Sequence, residues 1–505
     1  MTRSIDTSTS WSNPSSDFLQ LDRGQAFPRD LSGWLADAVR SAIADGRLRP
    51  GAVLPSTRAL ADDLGVARGT VTEAYRRLAE SGQVEGRGRA GTVVLETPVM
   101  APQRREPRPA RPAPAGRPTL ARPAPSPVTR EADASTFEAV RAARPAVDLM
   151  PGVPDLAAFP RAAWLRAERR VLDDLGAGAL AYGDPRGEPA LRTEIAAWLA
   201  RFRGLRVDPD RVIVVAGVAQ ALALVARALR DDGHRAIAVE DPGSLGARDL
   251  LASWGVATPP VGVDDRGLRV DELRASGADV VLATPAHQFP LGVVLDGPRR
   301  RELAAWAADG GLVIEDDYDA EHRYDRPPVA ALAAGLPDQV FYTGSVSKLL
   351  APALRLGWLV APPRRHDVLV DAKRHSDLGN PVLGQLVLAS LLGSGALERH
   401  LRLARSRHRR RRDVAVSALA RELPGARVHG AAAGLHLTAT FDDEPALDDV
   451  VLARAALERG VAVHPLAWHR QRPGTPGVVL GYGASSTGTI EDGVARLAAA
   501  HRDLR

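Results

Sequence analysis

Apolar residues recur at helical spacing in three successive stretches near the N-terminus, and they predict three helices. The first stretch runs from Leu31 to Ile43 and ends near Gly46. The second follows Ser56, which we predict to be its N-cap, and Gly65 separates it from a third stretch that runs to about residue 80. Two short helices joined by a tight glycine turn predict a helix-turn-helix.

Two short apolar runs follow the third helix and predict a pair of strands. They lie at residues 84–86 and 92–94, and a basic, glycine-rich tip with Arg87 and Arg89 joins them, which is typical of a wing. Polar side chains fall on the first turns of the third helix, where a recognition helix meets bases and phosphates: Arg68, Thr70, Thr72, Tyr75 and Arg76. The alternative is a small helical domain with a solvated basic face.

Periodicity is lost in two stretches of the chain. Residues 1–30 are a polar tail, to which we assign no function. Residues 97–145 are dominated by Pro, Ala and Arg, a composition that excludes a helix and favours an extended, semi-rigid linker. The linker separates the predicted winged helix, residues 31–96, from a globular body at residues 146–505.

In the body, strand-like apolar runs alternate with helical ones. Six runs have strand character: Arg211–Ala216, Ala236–Glu240, Val280–Ala283, Leu312–Glu315, Val340–Tyr342 and Leu356–Val360. This alternation predicts an α/β fold, with a mostly parallel sheet and helices on both of its faces. Ligands of such sheets bind at the carboxyl ends of the strands.

Composition and charge refine this picture. The 505 residues are too many for one ordinary domain, and the absence of cysteine excludes disulfides and thiolate metal sites. Residues 1–130 contain 19 Arg and 13 acidic residues, whereas the remainder has 47 basic and 48 acidic residues. A basic terminal module is expected of a nucleic-acid-binding arm, although a solvated tail would give the same count. The basic run 405–412 we interpret as a solvated helix face rather than a DNA contact.

Lysine is rare in this chain, and its position is informative. Only Lys348 and Lys373 occur among 66 basic residues. Arginine cannot form a Schiff base, whereas a desolvated lysine amine can. Lys348 follows Ser345 and Ser347 at the end of a predicted strand, and Arg355 comes seven residues later, so groups that can hold a phosphate surround the amine. The simpler alternative is a surface cation.

The Ser-x-Ser-Lys segment, with Arg and Gly downstream, resembles the pyridoxal-phosphate (PLP) segment of fold-type I aminotransferases. The resemblance implies that Lys348 carries the internal aldimine and that Ser345, Ser347 and Arg355 line the phosphate. Small residues at a predicted strand-to-helix junction would let backbone N–H groups approach the same phosphate: Gly217, Val218 and Ala219.

Two further motifs follow predicted strands. Residues 284–292 present His287 and Gln288 between prolines, where a lone histidine is more often structural than catalytic. Residues 315–319 include Asp316 and Tyr318; carboxylates at a strand end could bind a metal, but no histidine lies at helpful spacing, and we predict no metal. An Asp beside a pyridine nitrogen would keep that nitrogen protonated, and Tyr318 would bond to the ring oxygen.

Taken in order, the motifs resemble the MocR subfamily of GntR-type regulators. Gly-Arg-Leu-x-Pro-Gly, Leu-Pro-Ser-x-Arg-x-Leu-Ala and Leu-Gly-Val-x-Arg-x-Thr-Val, within residues 31–95, are similar to the GntR winged helix. Glu-Asp-Pro-Gly, Thr-Pro-x-His-Gln-Phe-Pro and Glu-Asp-Asp-Tyr-Asp, with the Lys348 segment, are similar to the aminotransferase-like domain of that subfamily over about residues 147–505.

The resemblance implies roles for individual residues. Asp316 would lie on the pyridinium nitrogen, Tyr318 and His287 or Gln288 near the ring oxygen, and Tyr182 would reach the phosphate of the second subunit. The implied DNA-contact candidates, together with the recognition-helix residues above, are Ser56, Arg58, Arg68, Thr70, Thr72, Arg87 and Arg89. The implied fold class is multidomain: a winged helix-turn-helix, an α/β fold-type I PLP-transferase-like domain, and a smaller C-terminal α+β subdomain from about residue 375.

Two departures from the family pattern bear on activity. Ser244 stands where a tyrosine usually packs near the cofactor, and residues 476–483 lack the arginine that clamps a substrate carboxylate, with Arg472 as the nearest candidate. Transamination is therefore less expected, and the effector would be PLP itself or an uncommon amine.

We thus expect a dimeric, PLP-dependent transcriptional regulator that binds operator half-sites on double-stranded DNA. The alternatives are a working aminotransferase with an accessory DNA-binding domain and a regulator that has lost PLP. No signal-peptide core and no run of about 18 apolar residues occurs. We therefore expect a cytoplasmic protein without membrane partners, associated with the nucleoid when bound to DNA.

Overall fold

The computed structural model describes residues 31–44, 48, 51–80, 84–86, 91–94, 140, 143, 145–324 and 330–505. These residues belong to two compact units, which lie within Met1–Arg122 and Pro123–Arg505. Each unit has its own buried apolar core. The chain is therefore a multidomain protein.

The N-terminal unit combines three helices with a small antiparallel sheet. The helices are α1 (Leu31–Ala44), α2 (Thr57–Leu64) and α3 (Arg68–Glu80). The sheet has the strand order β1-β3-β2 and consists of β1 (Val53–Leu54), β2 (Val84–Gly86) and β3 (Thr92–Val94). This is a winged helix-turn-helix, in which β2 and β3 form the wing.

Local signals in the sequence define the turn between α2 and α3. The Ser56 hydroxyl accepts a hydrogen bond from the N–H of Ala59 at 3.1 Å and caps α2. Gly65 adopts a left-handed φ of 59° and ends the helix. Leu60 and Val71 are fully buried, so both helices bury one apolar face in a common core.

The C-terminal unit is built on an eight-stranded sheet with the order β5-β12-β11-β10-β9-β6-β7-β8. Its strands are β5 (Val212–Val215), β6 (Ala238–Asp241), β7 (Pro260–Asp264), β8 (Gly267–Leu268), β9 (Val280–Ala283), β10 (Leu312–Asp317), β11 (Val340–Ser345) and β12 (Gly357–Val360). The strands from β11 to β7 run parallel, whereas β12 is antiparallel to both β11 and β5. Each of the six strand-like runs of the sequence overlaps one of these strands.

Helices cover both faces of this sheet. They are α4 (Arg161–Asp174), α5 (Pro189–Arg203), α6 (Val218–Asp231), α7 (Leu245–Ser253), α8 (Val270–Ser276), α9 (Gly297–Ala308), α10 (His366–Asp377) and α11 (Val382–Gly393). Val212 and Val214 of β5 enter one apolar core, and Ile213 and Val215 enter another. A sheet buried on both faces explains why its strands read as continuous apolar runs.

A smaller α+β layer completes the C-terminal unit. Its four-stranded sheet has the order β13-β14-β17-β16 and consists of β13 (Arg427–His429), β14 (His436–Thr440), β16 (His464–Pro465) and β17 (Gly477–Gly481). Its helices are α12 (Ala396–Glu422), α13 (Asp449–Glu458) and α14 (Thr487–Asp503). β4 (Val147–Asp148) pairs in parallel with β15 (Val461–Ala462), so the first strand of the unit also belongs to this layer. No helix in the described part of the chain combines the length and apolarity needed to cross a membrane.

Candidate functional site

The carboxyl ends of β10 and β11 bring the main polar residues of the site together. The strands are parallel neighbours, and their register pairs Asp316 with Thr343. β11 ends at Ser345, and Lys348 follows three residues later. Asp316 and Lys348 therefore lie at the same edge of the sheet, as strand-end motifs predict.

The Lys348 amine is partly buried against the loop that follows β4. Its Nζ donates a hydrogen bond to the carbonyl oxygen of Gly152, whose φ of 92° favours glycine. Burial lowers the pKa of Lys348, and the charges of Asp319 and Asp316 oppose the shift. The amine is therefore more often neutral, and more nucleophilic, than an exposed lysine.

Asp316 presents a carboxylate with one weak partner. The Thr343 hydroxyl lies 3.5 Å from it. Burial, and then the charges of Asp317 and Asp319, raise the pKa of Asp316 to about 7, while Lys348 opposes the shift. A cationic N–H donor would stabilise this carboxylate, and a pyridinium nitrogen supplies one. Asp316 therefore fits its predicted position beside the PLP ring.

Tyr318 and His287 form a hydrogen-bonded group with Asp319. His287 Nδ1 lies 2.9 Å from the Tyr318 hydroxyl and 2.9 Å from an Asp319 carboxylate oxygen. His287, Asp319 and His436 place three possible metal ligands within 4.8 Å of one another. The Nε2 of His436, however, already bonds to the Pro290 carbonyl at 3.0 Å. Spacing along the sequence does not reveal this cluster, because His436 lies more than a hundred residues from the other two ligands.

Gln288 was predicted, as an alternative to His287, to lie near the ring oxygen, but its amide bonds to neighbouring backbone groups. Its Nε2 donates to the carbonyl oxygens of Pro242 and Phe289 at 2.8 and 2.6 Å, and its Oε1 accepts the N–H of Leu291 at 3.0 Å. The amide therefore holds the turn after β9 in place. Of the two predicted residues, the structure associates His287, and not Gln288, with Tyr318.

The phosphate candidates converge at the start of α6. Gly217 caps this helix with a φ of 79°, and Val218 and Ala219 form its first turn. A Cβ built on Gly217 would lie 3.2 Å from both terminal nitrogens of Arg355, so the guanidinium group lies directly against the glycine. A Cβ on Gly357 would lie 3.0 Å from the Gly217 Cα and 3.2 Å from the Ser345 Cβ.

The serines complete this group. The Ser345 hydroxyl accepts the N–H of Ser347 at 3.3 Å, which fixes the turn before Lys348. The site thus offers three kinds of hydrogen-bond donor: backbone N–H groups at a helix N-terminus, a guanidinium group and hydroxyls. Together these donors match the acceptor oxygens of a phosphate. This cradle, the weakly partnered Asp316 and the buried Lys348 amine fit PLP.

A hydrogen-bond network behind the cradle was not predicted. Gln220 accepts the N–H of Ala216 at 2.8 Å and donates to Asp377 at 2.6 Å. Lys373 donates to both oxygens of Asp377, at 2.6 and 2.7 Å, and its side chain is fully buried. The network ties α10 to the residue before Gly217. The signal in the sequence was the second lysine of an arginine-rich chain.

We expect Lys373→Met to lower the affinity for PLP by about tenfold or more, because Asp377 would lose its partner and release Gln220 from the cradle. Titration followed by visible absorbance would measure this, with pyridoxal, which has no phosphate, as the second ligand. The affinity for pyridoxal should change little. An equal loss for both ligands would assign Lys373 to folding alone, and Lys373→Arg should retain most of the PLP affinity.

Tyr182 lies on the surface. Its side chain is 91% exposed and follows a segment with other exposed apolar residues, among them Leu165, Leu172 and Leu180. Its contact with the phosphate of a second subunit stays a prediction.

The two departures from the family pattern have local explanations. Ser244 caps α7, because its hydroxyl accepts the N–H of Ala247 at 3.3 Å. Arg472 is half-exposed and pairs with Glu272 at 2.9 Å, so it is committed to a surface ion pair. The last strand of the small sheet, β17, is apolar and buried.

The arginine run of α12 is less uniform than a solvated face. Arg409 and Arg410 are exposed, in agreement with the interpretation from sequence. Arg411 and Arg412 are buried, and Arg411 pairs with Asp155 at 2.9 Å. Arg405 donates to the carbonyl oxygen of Glu321 at 2.7 Å. The inner arginines therefore connect the two layers of the C-terminal unit.

The N-terminal unit exposes most of the DNA-contact candidates. Ser56, Arg58, Arg68, Thr72 and Arg76 are exposed, and Thr70 is half-buried. Arg87 and Arg89 lie outside the described residues.

Several candidates are engaged within the unit itself. Ser56 caps α2, the Arg68 Nε donates to the Thr57 hydroxyl at 3.3 Å, and the Thr72 hydroxyl donates to the Arg68 carbonyl at 3.0 Å. Arg76 pairs with Glu73 at 2.6 Å. Tyr75 is buried, and its hydroxyl donates to the Pro55 carbonyl at 2.9 Å, so the structure assigns Tyr75 to the core. Helical spacing alone did not distinguish the buried face of α3, which includes Tyr75, from its exposed face.

Comparison with known proteins identifies both units. Residues 31–94 match the model of bacterial regulatory proteins of the gntR family, and residues 146–473 match aminotransferase class I and II, a family that uses PLP. A pyridoxine biosynthesis transcriptional regulator, PdxR, from Corynebacterium glutamicum is 33% identical over 92% of this chain and 94% of its own. A probable rhizopine catabolism regulatory protein, MocR, from Rhizobium meliloti is 32% identical over 95% of each chain.

Solved structures agree with the fold. An archaeal alanine:glyoxylate aminotransferase superposes with a TM-score of 0.67 at 26% identity, over 74% of this chain and 96% of its own. A kynurenine aminotransferase from Pyrococcus horikoshii, solved with PMP, gives the same TM-score and identity. The predicted fold class is confirmed. With a gntR-type winged helix joined to a class I and II aminotransferase domain, the chain belongs to the MocR subfamily of GntR-type transcriptional regulators.

Proposed function

We propose that this protein is a PLP-dependent transcriptional regulator that senses PLP or an amine or amino-acid effector at Lys348 and binds operator half-sites through its winged helix. The observation that carries the proposal is the meeting of Lys348, Asp316 and the phosphate cradle at one sheet edge, in a chain that also exposes a basic recognition helix. PLP, when bound, supplies an electrophilic carbonyl carbon and an electron-withdrawing ring.

Different residues of this chain would bind different parts of the cofactor. Lys348 offers a nucleophilic amine, and Asp316 fixes the ring nitrogen in its protonated form. Tyr318 and His287 would bond to the ring oxygen. The phosphate candidates described above would bind the anion without moving, because the network through Gln220 already fixes the helix start.

Binding of an effector would act on DNA by shifting the populations of two domain arrangements. A homodimer would present two winged helices, and half-site spacing would follow from its two-fold symmetry. Gel-shift and footprinting measurements on the full-length protein, with and without PLP, test this proposal. Absence of sequence-selective DNA binding in both conditions would contradict it.

We expect Arg68→Ala to weaken operator binding and to reduce the slope of log affinity against log salt by about 1, because an exposed arginine at the start of α3 is placed to contact a phosphate. Fluorescence anisotropy over a series of salt concentrations would measure both effects. Arg77→Ala is the matched control, since Arg77 lies on the same helix and pairs with Glu73 at 3.1 Å. If both variants lost the same affinity, the loss would reflect α3 stability and not a phosphate contact.

A working aminotransferase is the second candidate, favoured by the intact Lys348 and Asp316 pair and by the aminotransferase neighbours. An assay for net amino-group transfer from a panel of amino acids to 2-oxoglutarate separates the two functions. Turnover well above the PLP-only background would support the enzyme. Its absence, with DNA binding retained, would support the regulator.

A further inference from the structure

A buried arginine of α7 without a carboxylate partner lies against the turn that contains Trp468. The Arg248 side chain is 6% exposed, and its Nε has no hydrogen-bond partner. Its Nη2 donates to the carbonyl oxygen of Trp468 at 3.0 Å. No ion pair to Arg248 is found within 4.0 Å among the residues that the structure describes. An unpaired buried cation is costly, and a site that retains one is typical of anion binding.

The nearest carboxylates do not neutralise this arginine. Asp241 and Asp249 are close enough to oppose the effect of burial, which lowers the pKa of Arg248. Asp241 already accepts the N–H of Gln471 at 2.9 Å and lies 3.9 Å from Arg472. The charge of Arg248 therefore remains available to a ligand.

His469, which directly follows the Trp468 that Arg248 contacts, and its stacking partner His464 also have unused nitrogens. Both ring nitrogens of His469 and the Nδ1 of His464 are buried without a hydrogen-bond partner. The two rings stack with centroids 5.6 Å apart. Burial is the main cause that holds the pKa of His469 well below its ordinary range, and the charges of His464 and Arg248 add to it. Buried polar groups in native proteins almost always have a partner, and a bound oxyanion would supply one for these nitrogens.

These residues adjoin the site already described. Phe289 contacts His469 edge-on at 5.0 Å and Tyr318 at 6.1 Å between ring centroids. The N–H of Gly243 donates to the His469 carbonyl at 2.7 Å. Arg248 lies one helical turn after Ser244, on the helix that starts at the carboxyl end of β6. Phe289 therefore connects Tyr318 of the described site to the turn that Arg248 contacts.

We propose that Arg248, His464 and His469 form an oxyanion subsite that binds the carboxylate or phosphate group of the effector. This inference rests on the proposed function and specifies its ligand: an amine that carries an acidic group. A guanidinium group forms charge-assisted hydrogen bonds with both kinds of acid, and a neutral imidazole adds one donor. In the family pattern, an arginine before the last strand clamps the substrate carboxylate, and residues 476–483 lack it. Arg248 on α7 would take over this role.

The test uses the full-length protein loaded with PLP and three amines that share an aminoethyl group: β-alanine, O-phosphoethanolamine and ethanolamine. Each is titrated while the visible absorbance of the cofactor is recorded. We expect at least one acid to bind about tenfold or more tightly than ethanolamine, as a charge-assisted pair implies. The acid that is preferred distinguishes a carboxylate effector from a phosphorylated one.

Arg248→Met should remove the preference for the acid and leave the affinity for ethanolamine unchanged. Arg472→Met is the matched control and should keep the preference. His469→Phe, which retains the aromatic contact with Phe289, should weaken the preference for the acid. This variant replaces Arg248→Met in the test if Arg248→Met does not fold. Equal affinity for all three amines in the wild type, or a preference that survives in Arg248→Met and His469→Phe, would overturn the subsite. A wild type without a cofactor band would instead contradict the proposed function.

Discussion

Lys348→Ala should abolish the visible absorbance band that PLP gives in the wild-type protein. The only other lysine, Lys373, is fully buried and held by Asp377, so it cannot replace the Lys348 amine. Loss of the nucleophile removes the covalent attachment outright and leaves only the phosphate cradle and Asp316 to hold the cofactor. We therefore expect complete loss of the band, with weak residual binding of PLP.

Borohydride reduction followed by peptide mapping gives an independent measurement. In the wild type, the reduced cofactor should be found on the peptide that contains Lys348. In Lys373→Met it should still be found there, at a lower yield. A band of wild-type intensity in Lys348→Ala would show that PLP attaches elsewhere, and the assignment of this lysine would be wrong.

Asp317→Ala should destabilise the C-terminal unit by about 3–5 kcal/mol, because it removes the carboxylate that forms the ion pair with the buried Arg203. Arg203 and Asp317 are both almost fully buried and lie 2.5 Å apart. The Tyr342 hydroxyl donates to the same carboxylate at 2.5 Å, so its hydrogen bond would be lost as well. The change in the free energy of unfolding can be measured by urea titration with far-UV circular dichroism.

An exposed ion pair provides the control for this measurement. Arg274 and Asp309 lie 3.1 Å apart, with both side chains largely in solvent. Asp309→Ala should therefore cost less than about 1 kcal/mol. The joint replacement of Arg203 by Met and Asp317 by Leu should recover much of the lost stability, since apolar residues often replace a buried pair without penalty. A cost for Asp317→Ala as small as that for Asp309→Ala would show that water reaches Arg203.

The sequence could predict those parts of the site that local patterns encode. Lys348 and Asp316 stand directly after apolar strands, so the edge on which they meet follows from the order of strands and helices. Tyr75 was misassigned because helical spacing gives a periodicity but does not identify the face of α3 that packs on Pro55. The role of Gln288 depended on the carbonyl of Pro242, which only the folded turn brings near.

Arg248 and Lys373 were missed for a related reason. Arginine occurs throughout this chain, so composition gave Arg248 no distinction from its neighbours. Arg248 stands out only in the folded chain, where it is buried and forms no ion pair with a described residue, and its hydrogen bond to residue 468 spans more than two hundred positions. Lys373 stands out in the sequence as one of two lysines. Its connection to the residue before Gly217, however, passes through the side chains of Asp377 and Gln220.

The start of the C-terminal unit has a consequence for communication along the chain. Val140 packs on Trp468, and β4 pairs with β15, so the end of the linker is attached to the turn that precedes His469. Arg248 holds the same turn through the Trp468 carbonyl. Under the proposed function, a ligand bound at Arg248 or His469 would therefore contact the same turn on which Val140 packs. If effector binding at this turn is coupled to operator binding, the coupling must be reciprocal: the operator would change the effector affinity by the same factor by which the effector changes the operator affinity.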